Sequence, residues 1–215
     1  SHRTQGENDV LAVNLKNIVN ELYARDCAQK VRIIKKSKLK QGCYVGGIPS
    51  YGYYAKWVDG KKVLFPEEGT SDIVRKIYEL FDGGRGIQSI ILWLYEQKVH
   101  RPSEYKQTGH VYCVEGETLK QWSDQTIRTI LTNYVYIGTL IQIGAGEKID
   151  RSGQKRDIEP DEVIMIEHTH EPIVGEEIFY RIACKIEEKR RIELQKKGLP
   201  KDALPEDNYK DLIYC

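Results

Sequence analysis

A CxxC pair is the first thing this sequence lacks. Its five cysteines stand at 27, 43, 113, 184 and 215, odd in number, scattered, and never in a CxxC pair. That pattern argues for a reducing, cytoplasmic setting rather than a disulfide framework of the secreted kind. No apolar run approaches the roughly 20 residues that span a bilayer, and no signal-peptide core opens the chain, so no membrane partner is expected. A large net charge is also missing: 33 basic and 32 acidic residues leave +1 over 215 residues, so attraction to a polyanion has to be local. P-loop, GxGxxG, HExxH and GxSxG motifs are absent, as are internal repeats, and no catalytic residue is assigned.

Acids are missing from one stretch in particular. Between Asp26 and Asp59 the only charges are Lys30, Arg32, Lys35, Lys36, Lys38, Lys40 and Lys56, all positive. Gly and Pro are absent from Asp9 to Lys40, which predicts one long helix. Its Leu11, Leu15, Ile18 and Leu22 form a seam suited to another helix, before the apolar stripe shifts to Cys27, Val31 and Ile34. Lys35, Lys36, Lys38 and Lys40 then spread around the axis. A helix end basic all round is either solvated or laid across a duplex among phosphates. Gly42 is a plausible left-handed cap. The following segment, GCYVGGIPSYGYY, has too much Gly and Pro for regular structure and is dense in tyrosine. Tyr44, Tyr51 and Tyr53 there are candidate phosphate contacts, or aromatics tucked onto the next domain, with room for different tyrosines to do each job.

From Tyr53 to Phe65 the chain reads as a β-hairpin turning at Asp59-Gly60. A second helix opens at Pro66 and Glu67-Glu68 with an apolar stripe of Ile73, Val74, Ile77, Leu80 and Phe81. A third carries Ile87, Ile90, Ile91, Leu94 and Tyr95 and ends before His100, and Ser103 to Leu119 reads as a loop or insertion. The stretch QWSDQTIRTILTNYVYIG follows. Ser123 is its N-cap candidate, Asp124 suits the positive end of the helix dipole, and Ile127, Ile130, Leu131 and Tyr134 recur at helical spacing. The opposite face presents Gln125, Arg128 and Thr132, flanked by Thr126, Thr129 and Asn133. It is rich in hydrogen-bonding groups and poor in acids, as a helix that reads base edges needs to be. An ordinary amphipathic helix with a polar solvent face has the same composition. Three helices ending in this one match a helix-turn-helix with an enlarged turn.

Beyond it, Ile137 to Ile143 and Glu162 to Glu167 read as strands flanking a charged hairpin tip, 144–160. The tip resembles a wing, but its acids, Glu147, Asp150, Asp157 and Glu159, fit a solvated turn better. A last helix runs from Glu176-Glu177 to about Lys197, and 198–208 is a polar linker. His168 and His170 form an HxH with no recognisable third ligand, and a structural role suits them better than metal binding. The expected fold class is mixed α+β.

The ordered set NELYARD, KVRIIKKSKLKQG, GGIPSYGY, IVRKIYELF, WSDQTIRTILTNYVYIG and HEPIVGEEIF resembles the large serine recombinases of transposons and phages. The resemblance covers nearly the whole chain. It implies four parts: the end of a catalytic domain and a long linking helix (1–41), an extended DNA-tracking linker (42–55), a recombinase domain (56–197), and the start of a zinc ribbon (198–215). It also implies that the nucleophilic serine lies upstream of Arg3, so this stretch should bind DNA and cut nothing. The partner is then double-stranded DNA at attachment or transposon-end sites, with self-association through the long helix. The implied DNA contacts are Lys30, Arg32, Lys35, Lys36, Lys38, Lys40, Tyr44, Tyr51, Tyr53, Ser123, Gln125, Thr126, Arg128, Thr129 and Thr132. No cofactor is expected within the stretch. Zinc is expected in the continuation, with Cys215 its first ligand. In the intact enzyme the resemblance implies strand exchange through a phosphoserine link. The alternatives are a helical scaffold with a basic end, and a stand-alone winged-helix regulator of DNA or RNA.

Overall fold

The computed structural model describes residues 2–143 and 163–196. The hairpin tip at 144–160, the linker at 198–208 and Cys215 lie outside them. Helix α1 spans His2–Lys40, seven residues longer at its start than the glycine-free run suggests, because Gly6 is accommodated within it. It stops where Gly42 takes φ +75°. Leu39 and Cys43 are buried at this end, so the helix is anchored by its C-terminal turn while Leu15, Ile18 and Leu22 stay exposed.

Strands β1 (Tyr53–Val58) and β2 (Lys61–Pro66) pair antiparallel with Val58 opposite Lys61. Asp59 at φ 49° and Gly60 at φ 76° make the two-residue turn, whose positive angles match the twist of the strands it joins. A two-stranded ribbon is marginal alone. This one is held because Tyr53 and Leu64 enter the core.

Helix α2 (Thr70–Asp82) begins later than the Pro66-Glu67 signal. Glu67 instead precedes the helix and ties its first turn: its carbonyl accepts from the Ser71 amide at 2.9 Å and its carboxylate from the Thr70 hydroxyl at 3.1 Å. Helix α3 spans Ile87–Glu96. The expected loop at 103–119 is partly ordered as helix α4, Pro102–Thr108, with Pro at its start where no amide partner is needed. Buried Glu104 lies between Arg101 at 3.3 Å and Lys120 at 3.5 Å. Helix α5 spans Asp124–Thr132 and buries Ile127, Ile130 and Leu131 as its spacing requires. Each contributes about 1.5–3 kcal/mol of hydrophobic burial.

Residues Tyr134–Ile137 form a 3-10 turn, so the strand expected from Ile137 begins only at Leu140. Gly138 forces this break: it has φ +81°, and a Cβ there would stand 2.7 Å from the His170 carbonyl oxygen. Strands β3 (Leu140–Ile143) and β4 (Val163–Ile166) pair antiparallel, and helix α6 (Glu176–Lys196) closes the domain. Phe179 and Ile182 bury against the core. Arg181 donates two hydrogen bonds to Asp82, at 2.9 and 2.6 Å, and Lys185 a third at 2.9 Å. These cations, Arg181 first, hold the Asp82 carboxyl down at about 2. Among the described residues no helix is long and apolar enough to cross a membrane.

Tyr78, which the apolar stripe of α2 did not include, is almost fully buried and donates to the Ile130 carbonyl at 2.7 Å. Tyr78→Phe should cost about 1 kcal/mol, because Ile130 loses a buried donor while the ring packing is kept. The check is a lower urea midpoint with an unchanged m-value.

Candidate nucleic-acid interface

Helix α5 is positioned by its cap. The Ser123 hydroxyl oxygen accepts from the Thr126 amide at 3.1 Å and lies 2.7 Å from the Thr126 hydroxyl, so both side chains are engaged at the helix start. The polar face is also internally bonded. Gln125 Nε2 donates to Thr129 Oγ1 at 3.5 Å, and the Thr132 hydroxyl donates back to the Arg128 carbonyl at 2.9 Å. Arg128 Nε donates to Asp124 Oδ2 at 2.5 Å, an i,i+4 pair that sequence spacing allows but that the reading of Arg128 as a free base contact did not include. The bond uses Nε rather than the terminal nitrogens, and the Arg128 side chain remains 43% exposed.

Gln125, Arg128, Thr129 and Thr132 line one side of an open groove of about 460 Å³ that also takes in Ser50 and Tyr44. The linker is therefore beside the helix. Asn133 Nδ2 reaches Ser50 Oγ at 3.4 Å and fixes that neighbourhood. Tyr44 also lines a second groove of about 350 Å³ with Lys35 and Lys38 of α1, Trp57, and Lys62 of β2. Lys62 Nζ lies 5.2 Å from the Tyr44 ring centroid and donates to the Gly46 carbonyl at 3.2 Å. The Tyr44 hydroxyl donates to the Ile48 carbonyl at 2.7 Å, and burial pushes it above its ordinary range, so it stays neutral.

Tyr51 and Tyr53, the other two candidate contacts of the linker, are elsewhere. Tyr51 packs edge-on against Trp122 and Tyr105, with ring centroids 5.5 and 5.8 Å away. Tyr53 donates to the Glu171 carbonyl at 2.9 Å, accepts from the Ile173 amide at 3.1 Å and packs edge-on against His170. Both are buried, and burial raises both hydroxyls. As placed, neither ring presents a hydroxyl to an outside phosphate. Their sequence context is that of Tyr44; only the packing separates them.

On α1, Lys30, Arg32, Lys35, Lys36, Lys38 and Lys40 are all exposed, and Lys30 is also paired with Asp26 at 2.7 Å. The HxH does not assemble a metal site. His168 is exposed at φ 53°, while His170 has Nε2 at 2.8 Å from the Val135 carbonyl oxygen and Nδ1 at 2.8 Å from Thr169 Oγ1. Sequence reasoning missed Lys62 and Ser50. For Lys62 a signal existed, a second lysine beside the hairpin turn, but its direction depends on the register with Trp57.

A family model described as Recombinase matches residues 68–189, more than half of the chain. Among solved structures, a crystal structure of a LSR–DNA complex aligns at 19% identity over 75% of this chain and 39% of that chain, with a TM-score of 0.46. A structure concerned with the sequence requirements of the Listeria innocua prophage attP site aligns at 19% identity over 77% of this chain and 54% of that chain, with a TM-score of 0.45. The chain thus spans about two-fifths and about half of the length of these two proteins.

Ser123→Ala should destabilise the domain by about 1 kcal/mol through loss of the α5 cap, with Ser123→Asp restoring most of it. Chemical denaturation of the three proteins checks this.

Proposed function

The chain belongs to the Recombinase family, and from that premise we propose that it binds duplex DNA at recombination sites as part of a large serine recombinase. The whole enzyme would exchange DNA strands through a phosphoserine link, inside the cell. Helix α5 would enter a major groove, with Arg128 reaching guanine and Gln125 adenine. The basic end of α1 and Tyr44 would follow the phosphates. The observation that supports this reading best is the shared wall: Tyr44 borders both the groove beside α5 and the groove beside Lys35 and Lys38. One duplex could therefore touch a base-reading face and a phosphate-binding face together. The exposed Leu15, Ile18 and Leu22 of α1 support self-association of the intact recombinase through that helix. Zinc held in part by Cys215 belongs to this proposal as well.

Arg128 would have to share or exchange its bond to Asp124 on reaching a base. That makes Asp124 a restraint that pre-orients the guanidinium and competes with the base for it. Thr126 and Ser123 would contribute through the helix start they cap, and Thr129 and Thr132 through the rim of the groove.

Binding of fluorescent duplexes across a salt series tests the proposal. Replacing Lys35, Lys36 and Lys38 by Ala should weaken all duplexes alike and flatten the log–log salt slope by up to about three, since each phosphate contact contributes about 0.9. An unchanged slope would take α1 off the DNA and favour the scaffold reading.

Arg128→Ala should behave differently. It should cost about 1–3 kcal/mol on the cognate site, relax preference at one or two base pairs, and cost much less on random duplex. Equal losses on cognate, single-base-variant and random duplexes would make Arg128 a phosphate clamp and remove α5 as the reader.

A further inference from the structure

The segment between α3 and α5 contains a cluster that the DNA reading does not use. His100 is fully buried, yet its Nε2 has no hydrogen-bond partner. Its other nitrogen, Nδ1, lies 3.1 Å from the His110 carbonyl oxygen. A carbonyl only accepts, so Nδ1 carries the proton of the neutral ring and Nε2 keeps a lone pair. That lone pair faces a Glu117 carboxylate oxygen at 3.5 Å. The Cys113 thiol completes the set, and the ligand atoms of His100, Cys113 and Glu117 all lie within 4.8 Å of one another. His100 is buried and Cys113 and Glu117 are half-buried, and the Cys113 thiol now donates to the Val114 and Glu117 carbonyls at 3.7 and 3.6 Å. Once that thiol gives up its proton, a cation held between the three groups offsets the cost of keeping a lone pair, a thiolate and a carboxylate together.

We propose that His100 Nε2, Cys113 Sγ and the Glu117 carboxylate form a structural zinc site. The donor set of one imidazole, one thiolate and one carboxylate suits Zn²⁺ over the hard cations, which prefer oxygen alone. Tetrahedral bonds of about 2.0–2.3 Å put ligand atoms about 3.3–3.8 Å apart, so closure needs movement on the order of 1 Å. Cys113 and Glu117 can supply it, because both lie outside regular elements while His100 is held by the core.

The groups behind the ligands are those a metal site needs. The His110 carbonyl orients the imidazole. The Val114 amide donates to Glu117 Oε2 at 3.0 Å, and His110 Nδ1 lies 3.0 Å from Glu117 Oε1. Water would take the fourth position. Backbone pairing brings the ligands together: the His100 amide donates to Val111 at 2.9 Å, and the Cys113 amide to Lys98 at 2.8 Å.

Zinc here would pin the segment 103–119 to the end of α3. Trp122 Nε1 donates to the Val99 carbonyl at 3.0 Å, so the pinned backbone also carries the residue before the α5 cap. The ion would stiffen the approach of α5 without touching DNA, and the site stands whether or not α5 reads bases.

The full chain, stripped with a chelator, is titrated with Zn²⁺ by calorimetry and with Co²⁺ by absorption. Wild type should bind and show a thiolate-to-cobalt band, and its thermal midpoint should rise about 5–10 °C at zinc one hundred times above Kd. Cys113→Ser should weaken zinc on the order of 100-fold or more and abolish the band, and Glu117→Gln should weaken it about 10- to 100-fold. Cys27→Ser and Cys43→Ser should each leave this binding unchanged. Circular dichroism of Cys113→Ser and Glu117→Gln establishes that both remain folded, and buried His100 is left intact for that reason. A cobalt band that survives Cys113→Ser, or disappears in Cys215→Ser, overturns the site. So does a wild-type chain that takes up no zinc at micromolar concentration.

Discussion

Three buried tyrosine hydroxyls hold this domain in register. Tyr53 donates to Glu171, Tyr78 to Ile130 and Tyr136 to Tyr51, each at 2.7–2.9 Å and each between segments far apart in sequence. A buried hydroxyl without a partner is costly, so each ring is confined to the one place where its backbone acceptor lies. Those places join the linker to α6's approach, α2 to α5, and the 3-10 turn back to the linker. Burial lifts all three hydroxyls, which stay neutral and able to donate.

This network explains why the surface beside α5 is so polar. The apolar side of α5 is committed to Tyr78 and its neighbours, and the linker is pulled inward by Tyr51 and Tyr53. Tyr44 and Ser50 are left at the rim, next to Gln125, Arg128 and Thr132. The Asp124–Arg128 pair keeps a cation on that rim while half of its surroundings are water. Such an exposed pair contributes little to stability, which leaves it free to rearrange around a partner.

Helix α1 follows a different logic. Among its described side chains, only Leu39 of the last turn enters the core. Between Val13 and Ile34 it keeps apolar side chains such as Leu15, Ile18 and Leu22 in solvent, where helical propensity and local pairs such as Arg25–Glu21 and Lys30–Asp26 support it. Its basic end is held beside the recombinase domain because Leu39 and Cys43 are anchored, and that anchoring makes Lys35 and Lys38 neighbours of Tyr44.

Local chemistry was enough for much of this. The Asp59-Gly60 turn, the Ser123 cap, the apolar stripes of α2, α3 and α5, and the break at Gly42 each depend on neighbours a few residues away, and periodicity or φ preference reports such neighbours directly. The family was legible too, from motifs in a fixed order. Tertiary structure alone decided that Tyr51 and Tyr53 of the linker turn inward, because burial depends on partners 85 and 118 residues distant. It alone ordered α4 within an expected loop, cut the strand at Gly138 against His170, and occupied both nitrogens of His170. Nor could spacing bring His100, Cys113 and Glu117 together, since thirteen residues separate the first two and only the backbone pairing of 98–100 with 111–113 closes that gap. One-dimensional patterns record what a residue needs nearby in the chain; which distant groups satisfy it is settled only when the core closes.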